Sequence, residues 1–314
     1  MRPARGLCLA VALAIAPVAG AGAQTLRFMT GPQGGVWVPL GGALKNIWEQ
    51  AVPGITVQAV PGAGVANVRG VDEGRAQLGF GNSITTVDGI AGRAPFPGPV
   101  KRVCNLATLY PQYFQVVALA DSGITRIEDL RGRSVAIQPR GNTAEVITAQ
   151  ILQVAGLGYN DIRANFQASY TDAVGLMRDG NAQAFTLGTA IPASSVMDLA
   201  SARSIRLLDL APYIEGLRRL NPGFVGVPIP ANTYPGQAQA VTVPGYFTHL
   251  IASCDLPEAQ VHAMIRAMTR NVETMAAVFA GMRGLTPKDM AMDIGVPFHP
   301  GAERFYREVG ALGG

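Results

Sequence analysis

Short apolar runs, each followed by a loop of glycine and small residues and then by an amphipathic stretch, recur along the chain. This alternation most narrows the folds open to it. The first instance is Leu26–Met29, then Thr30-Gly31-Pro32-Gln33-Gly34-Gly35-Val36-Trp37-Val38-Pro39-Leu40, then the helix-like run Gly42–Gln50. Further strand candidates are Ile55–Ala59, Leu78–Gly81, Val103–Leu109, Phe114–Ala120, Ser134–Ile137, Ala184–Thr186, Ile205–Leu208 and Tyr246–Ser253. Helix candidates lie between them at Leu40–Gln50, Val65–Glu73, Ile84–Ala91, Ile127–Leu130, Asn142–Ala155, Tyr170–Arg178 and Ala193–Ala200. Strands alternating with helices imply an α/β fold with parallel sheets and crossover helices.

Local chemistry supports several of these elements. Asn142 or Thr143 can cap the helix that follows, Glu145 sits in its first turn where the dipole favours a carboxylate, and Gly156 ends it. Near the C-terminus, Val261, Met264, Ile265, Met268, Val272, Met275 and Phe279 repeat at helical spacing, with Asp255 as a cap and Pro257 in the first turn. The opposite face carries Glu258, Arg266, Arg270 and Glu273, so the methionine stripe reads as core. The Pro- and Gly-rich segment Asn221–Gly236 reads as an ordered excursion.

Arg2 and Arg5 precede the apolar run Leu7–Ala16, and small residues follow to Ala21-Gly22-Ala23. This is the pattern of a signal peptide cleaved after Ala23, and it predicts an exported protein. Without those two arginines, 23 basic residues face 21 acidic ones, with no basic block. That balance argues against a nucleic-acid partner and against a polybasic membrane anchor. Cys104 and Cys254 remain. In an oxidising compartment they can pair, or they can be two separate buried thiols, and spacing does not decide between these.

The usual catalytic and metal motifs are missing. His249, His262 and His299 have no metal-ligand spacing with Cys, Asp or another His, and there is no G-x-S-x-G elbow. The first glycine loop lacks the G-K-[ST] ending of a nucleotide loop, and Gly62–Asn67 is only a partial G-x-G-x-x-G. Binding equipment is plentiful. The loops Gly31–Trp37, Pro61–Asn67, Gly81–Thr85 and Pro139–Thr143, with Thr186–Thr189 as a fifth, all fall at strand carboxyl ends, where open α/β sheets bind ligands.

With these loops laid out, the chain resembles the TAXI branch of TRAP-transporter solute-binding proteins. The resemblance spans nearly the whole chain after residue 23. It rests on Thr30–Gly35 with Pro39-Leu40-Gly41, on Pro61–Val68, Ala76–Phe80, Asp121–Ile124 and Asp129–Arg133, and on two long motifs, Ile229–Gln237 and Pro297–Tyr306. It implies a periplasmic binding protein type II-like fold: two α/β lobes joined by a hinge, with a cleft between them. Residues 1–23 would be the signal peptide, 24–115 and 245–314 the first lobe, and 116–244 the second, with crossings near Phe114–Ala120 and Tyr246–Ser253. The implied function is capture of a small organic anion, such as glutamate or another carboxylate, by a monomer that uses no cofactor or metal and delivers its ligand to a TRAP-type membrane permease. The alternatives are an exported enzyme or a sensor subunit on the same scaffold.

Carried over loop by loop, the resemblance places ligand contacts at Gly34, Gly35, Val36 and Trp37, with Trp37 standing for a Tyr-like residue. Gly64 stands where relatives have Ser, and Asn67 is retained. The third loop offers Asn82 and Ser83. The fourth, a G-S-G-T pattern in the family, reads Gly141-Asn142-Thr143-Ala144, and Gly188 and Thr189 complete the set. Arg140 can pair bidentately with a ligand carboxylate or be a solvated loop charge. The His299–Glu303 pair is read as fixing the C-terminal helix to the first lobe, with no catalytic role.

Overall fold

The computed structural model describes residues 24–313; the expected signal peptide lies outside the described residues. The strands are β1 (Gln24–Met29), β2 (Ile55–Val60), β3 (Leu78–Asn82), β4 (Val103–Leu119), β5 (Ser134–Ile137), β6 (Arg163–Phe166), β7 (Ala184–Thr189), β8 (Ile205–Leu207), β9 (Val225–Ile229) and β10 (Val241–Ser253). The helices are α1 (Trp37–Ala51), α2 (Gly64–Asp72), α3 (Ser83–Ile90), α4 (Thr143–Val154), α5 (Tyr170–Arg178) and α6 (Ser194–Ala202). They continue with α7 (Ala211–Leu220), α8 (Glu258–Arg270), α9 (Val272–Val278), α10 (Pro287–Met290) and α11 (Pro300–Glu308).

The strands form one mixed sheet of order β2-β1-β3-β10-β4-β7-β5-β6, with β8 added to β4 and β9 to β10. The pairs β1–β2, β1–β3, β5–β6 and β5–β7 are parallel, as strand–helix alternation requires. The two central strands β4 and β10 are antiparallel, from Gly245↔Tyr113 to Ser253↔Val103. Two cores flank this pair. One gathers Phe28, Leu40, Trp48, Phe80, Leu106, Leu250, Met264 and Tyr306; the other gathers Phe114, Val116, Ile137, Ile147, Phe185, Leu217 and Tyr246. Both central strands therefore contribute to both cores.

Two expected strands, Val103–Leu109 and Phe114–Ala120, are one continuous β4. The Pro111 between them lies where β4 is paired only with β10, so its missing N–H costs no ladder bond. The stretch Ile127–Leu130 is a 3₁₀ turn. The long C-terminal helix is broken at Asn271, whose side chain donates to the Ala267 carbonyl and ends α8. Asp255 does not cap it. Pro257 holds the cap position, and the Asp255 carboxylate pairs with Arg102 at 2.6 Å. The strands β6 and β9 and helix α7 are not among the elements expected from sequence: β6 is four residues long, and β9 carries Gly226 and Pro228 inside a Pro- and Gly-rich segment that reads as an excursion.

Cys104 and Cys254 form a disulfide, with Cα atoms 5.2 Å apart. It ties the start of β4 to the residue just after β10, where the pair Ala252↔Cys104 already holds the strands in register. The closed loop is long, with a sequence separation of 150. Replacing both cysteines by alanine is expected to cost about 2–5 kcal/mol, read by urea unfolding, with reduction of the native protein giving a similar loss.

His249 is fully buried between β10, β4 and α3; Nδ1 donates to Asn105 Oδ1 (3.0 Å) and Nε2 meets Thr86 Oγ1 (2.8 Å). Burial pushes its pKa down to about 3. Burial lowers His299 as well. The unfolded chain then binds a proton that the folded one refuses. Stability contributed by neutral His249 is present above pH ~6.5 and falls as the pH drops toward 3, by about 1.4 kcal/mol per pH unit. Denaturant melts from pH 7 to 4 should show that slope, and His249→Asn should flatten it by close to one proton.

Candidate functional site

The first loop leads into α1 without a cap. Gly34 takes a left-handed turn (φ 81°), Gly35 donates to Pro32 O at 3.2 Å, and Val36 precedes the helix with no capping side chain. Among the described residues, the N–H groups of Val36 and Trp37 have no acceptor, and the first turn of α1 holds no acidic residue. This leaves a bare positive helix end. Trp37 stacks on Phe80, with ring centroids 5.3 Å apart, and its indole Nε1 donates to Thr248 Oγ1 at 3.3 Å.

Three further helices start beside it. Gly64 opens α2, Asn82 precedes α3, and Asn142 caps α4 by accepting from Ala144 N at 2.8 Å. Across from α1 stands Tyr170, first residue of α5, whose hydroxyl donates to Gly188 O at 3.0 Å. Gln112 rises from β4, where that strand passes between the cores. Together these line a cavity of about 20 Å³, room for roughly one water molecule.

Of the residues expected to touch ligand, Gly35, Val36, Trp37, Gly64, Asn82, Asn142, Gly188 and Thr189 line this cavity; Pro32, Gln112 and Tyr170 join them unforeseen. Gln112 carried a signal, as a polar residue within an apolar strand run. The others have different work. Gly34 packs against Thr171 at the rim. Asn67 is a buried clamp: Nδ2 donates to Met29, Thr30 and Phe80 carbonyls at 2.8–3.2 Å, while Oδ1 accepts from Ala63 N. Ser83 Oγ accepts from Phe247 N at 3.0 Å.

Gly141 and Thr143 join the two sides of the cleft. Gly141 O accepts from Val65 N and Ala66 N at 3.0 and 3.2 Å, and Thr143 Oγ1 lies 2.8 Å from Thr85 Oγ1. Asn221 adds a third bridge, donating to Asp88 Oδ2 at 2.9 Å and Ile84 O at 3.2 Å. Arg140 is absent from the cavity. Its guanidinium lies 4.5 Å over the Phe166 ring and 3.6 Å from Glu145, largely exposed. Aromatic stacking and the nearby carboxylate hold it outside.

No Asp, Glu, Lys, Arg, His, Ser or Cys side chain lines the cavity among the described residues. Its polar groups are backbone amides, the side-chain amides of Asn82, Gln112 and Asn142, and the Thr189 and Tyr170 hydroxyls. Burial raises the Tyr170 phenol well above its usual range, so it stays neutral. The arrangement can bind by hydrogen bonds and helix-end dipoles, and it presents no general base or nucleophile with an adjacent activator.

The two long sequence motifs serve the scaffold. Tyr234 is buried, donates to Gln115 Oε1 at 2.8 Å and accepts from Ala193 N at 3.0 Å. Tyr306 donates to Leu106 O at 2.8 Å. They brace β4 in one core each. His299 caps α11: Nδ1 accepts from Gly301 N at 3.1 Å and Nε2 donates to Leu256 O at 3.0 Å. Glu303 pairs with Arg307 at 2.7 Å, so the expected His299–Glu303 pair does not form.

The chain belongs to the NMT1-like family, whose profile matches residues 28–310. Solved structures share the fold at low identity. PhnD1 from Prochlorococcus marinus, in complex with methylphosphonate, gives a TM-score of 0.56 at 12% identity over 93% of this chain and 100% of that one. An ancestral arginine-binding protein bound to arginine gives 0.51 at 13% identity, over 83% and 98%. A structure from work on glutathione import via GshT and the cystine ABC importer TcyBC of Streptococcus mutans gives 0.51 at 14% identity, over 81% and 92%. The fold is that of two-lobed periplasmic binding proteins of type II.

Gly64 sets how closely the two sides approach. A Cβ there would lie 1.9 Å from Thr143 Oγ1. Gly64→Ala is expected to weaken the closed form by about 1–3 kcal/mol, the cost of overpacking. Small-angle scattering should show a larger radius of gyration, and Gly64→Ala with Thr143→Ala should reverse most of the change.

Proposed function

We propose that the protein is a periplasmic solute-binding receptor of a TRAP-type secondary transporter, of the TAXI branch, and that it holds one small organic anion between its lobes. One observation carries this reading: the uncapped N-terminal end of α1, with the starts of α2, α3 and α4 beside it, borders a cavity that no charged side chain lines. Helix N-termini and free amides favour negative charge without a cation. The scaffold itself does not choose the ligand's charge, since one protein of this fold is bound to methylphosphonate and another to arginine. The lining does, and here a cationic ligand has no carboxylate to meet.

The transporter partner is inferred from the Ile229–Gln237 and Pro297–Tyr306 motifs. Residues 24–115 and 245–314 form one lobe and 116–244 the other, acting as a monomer. The cavity is too small for an organic anion as it stands, so ligand enters with the lobes apart, and the bound form closes less tightly than the bridged form of Gly141, Thr143 and Asn221. Hinge closure of this kind is the usual response of such scaffolds to ligand. The reading is one of binding without turnover, and it assigns no cofactor.

A thermal-shift screen of small carboxylates, sulfonates and phosphonates tests it, with mass spectrometry of anything that copurifies. A true ligand at 100 times its Kd should stabilise the fold by about 2.7 kcal/mol. It should bind once per chain and be recovered unchanged. No stabilisation by any anion at millimolar concentration, or recovery of a converted product, would overturn the reading.

A further inference from the structure

We infer that the ligand carries a neutral hydrogen-bond donor, a hydroxyl or an amide N–H, beside its anionic group, and that Gln112 and Asn82 select it. This rests on the small-anion reading of the cavity. Both side chains line the cavity and are almost wholly buried, at 3% and 5% exposure. The Gln112 amide is fixed at one end, where Nε2 donates to Thr248 Oγ1, the same oxygen that accepts from the Trp37 indole. Its other end, Oε1, is buried with no partner. Asn82 Oδ1 is also buried with no partner.

Two unpaired acceptors on residues that line one small cavity are costly, at about 1–3 kcal/mol for each group left unsatisfied. They come from separate elements, β3 and β4, so the pair is not one local turn. The oxygens of an anion are acceptors and cannot satisfy them. A ligand that seats against these two side chains must supply a donor or leave both oxygens unsatisfied. An ammonium group would bring donors, but it would sit beside the uncapped start of α1 with no carboxylate lining the cavity. A hydroxyl or amide N–H fits without that penalty. The implied ligands are hydroxy acids or amide-bearing small anions in preference to amino acids.

Calorimetric titration of the native protein with two matched sets tests this: propionate, lactate and alanine, then succinate, malate and aspartate. In the set that binds, the hydroxy acid should bind at least ten-fold tighter than both the unsubstituted and the amino form. In Gln112→Met the hydroxy-to-unsubstituted ratio should fall toward one, while the anion itself still binds. Equal affinity for lactate and propionate, or for malate and succinate, would overturn the inference and leave the small-anion reading standing. So would tightest binding by the amino acid. If none of the six binds, the inference falls, while the small-anion reading is decided by the wider screen of carboxylates, sulfonates and phosphonates. Should Gln112→Met fail to fold, the ranking in the native protein decides, and Asn82→Ala gives a second test of the ratio.

Discussion

The antiparallel pairing of β4 with β10 is the constraint on which the rest of this structure depends. A 17-residue strand and a 13-residue strand run side by side through both cores. Their first and last parts are packed in different cores, one around Leu106 and Leu250 and the other around Phe114 and Tyr246. Several features reinforce this pair. The disulfide closes one end, Tyr306 braces Leu106 in one core, and Tyr234 braces Gln115 in the other. Buried His249 adds a neutral link from β10 to Asn105 on β4.

The same strand pair positions the cleft. Thr248 on β10 accepts from both the Gln112 amide on β4 and the Trp37 indole, so the central strand pair fixes two residues that line the cavity. The walls are helix starts delivered by short loops after β1, β2, β3 and β5. Parallel strands end on the same side, which brings their following helices to the cavity by their positive ends. The residues that line the cavity carry neutral amides and hydroxyls and no charged side chain.

Much of the fold was legible because its signals are local. Asn142 accepting from Ala144 N starts α4 where its capping residue places it. The glycine loops mark strand ends for the same reason. Contacts decided across the chain were harder to read. Asn67 lies in a loop that reads as a ligand loop, yet it spends its amide on the carbonyls of β1 and β3. Arg140 looks like a carboxylate receptor in sequence, but Phe166, on an edge strand with no clean period, draws it outward. Pro111 suggests a strand break until one knows that β4 has a partner on one side only at that point. Tyr170 gives no sign in sequence that its hydroxyl reaches Gly188 O.

Trp37 offers the most direct test of the central claim, that a small anion binds at the uncapped start of α1 between the lobes. In a Trp48→Phe variant, Trp37 is the only indole left. Titration with an anion that calorimetry shows to bind should change its emission saturably, with a midpoint equal to the calorimetric Kd. Binding that leaves Trp37 emission unchanged would place the ligand elsewhere and contradict the account.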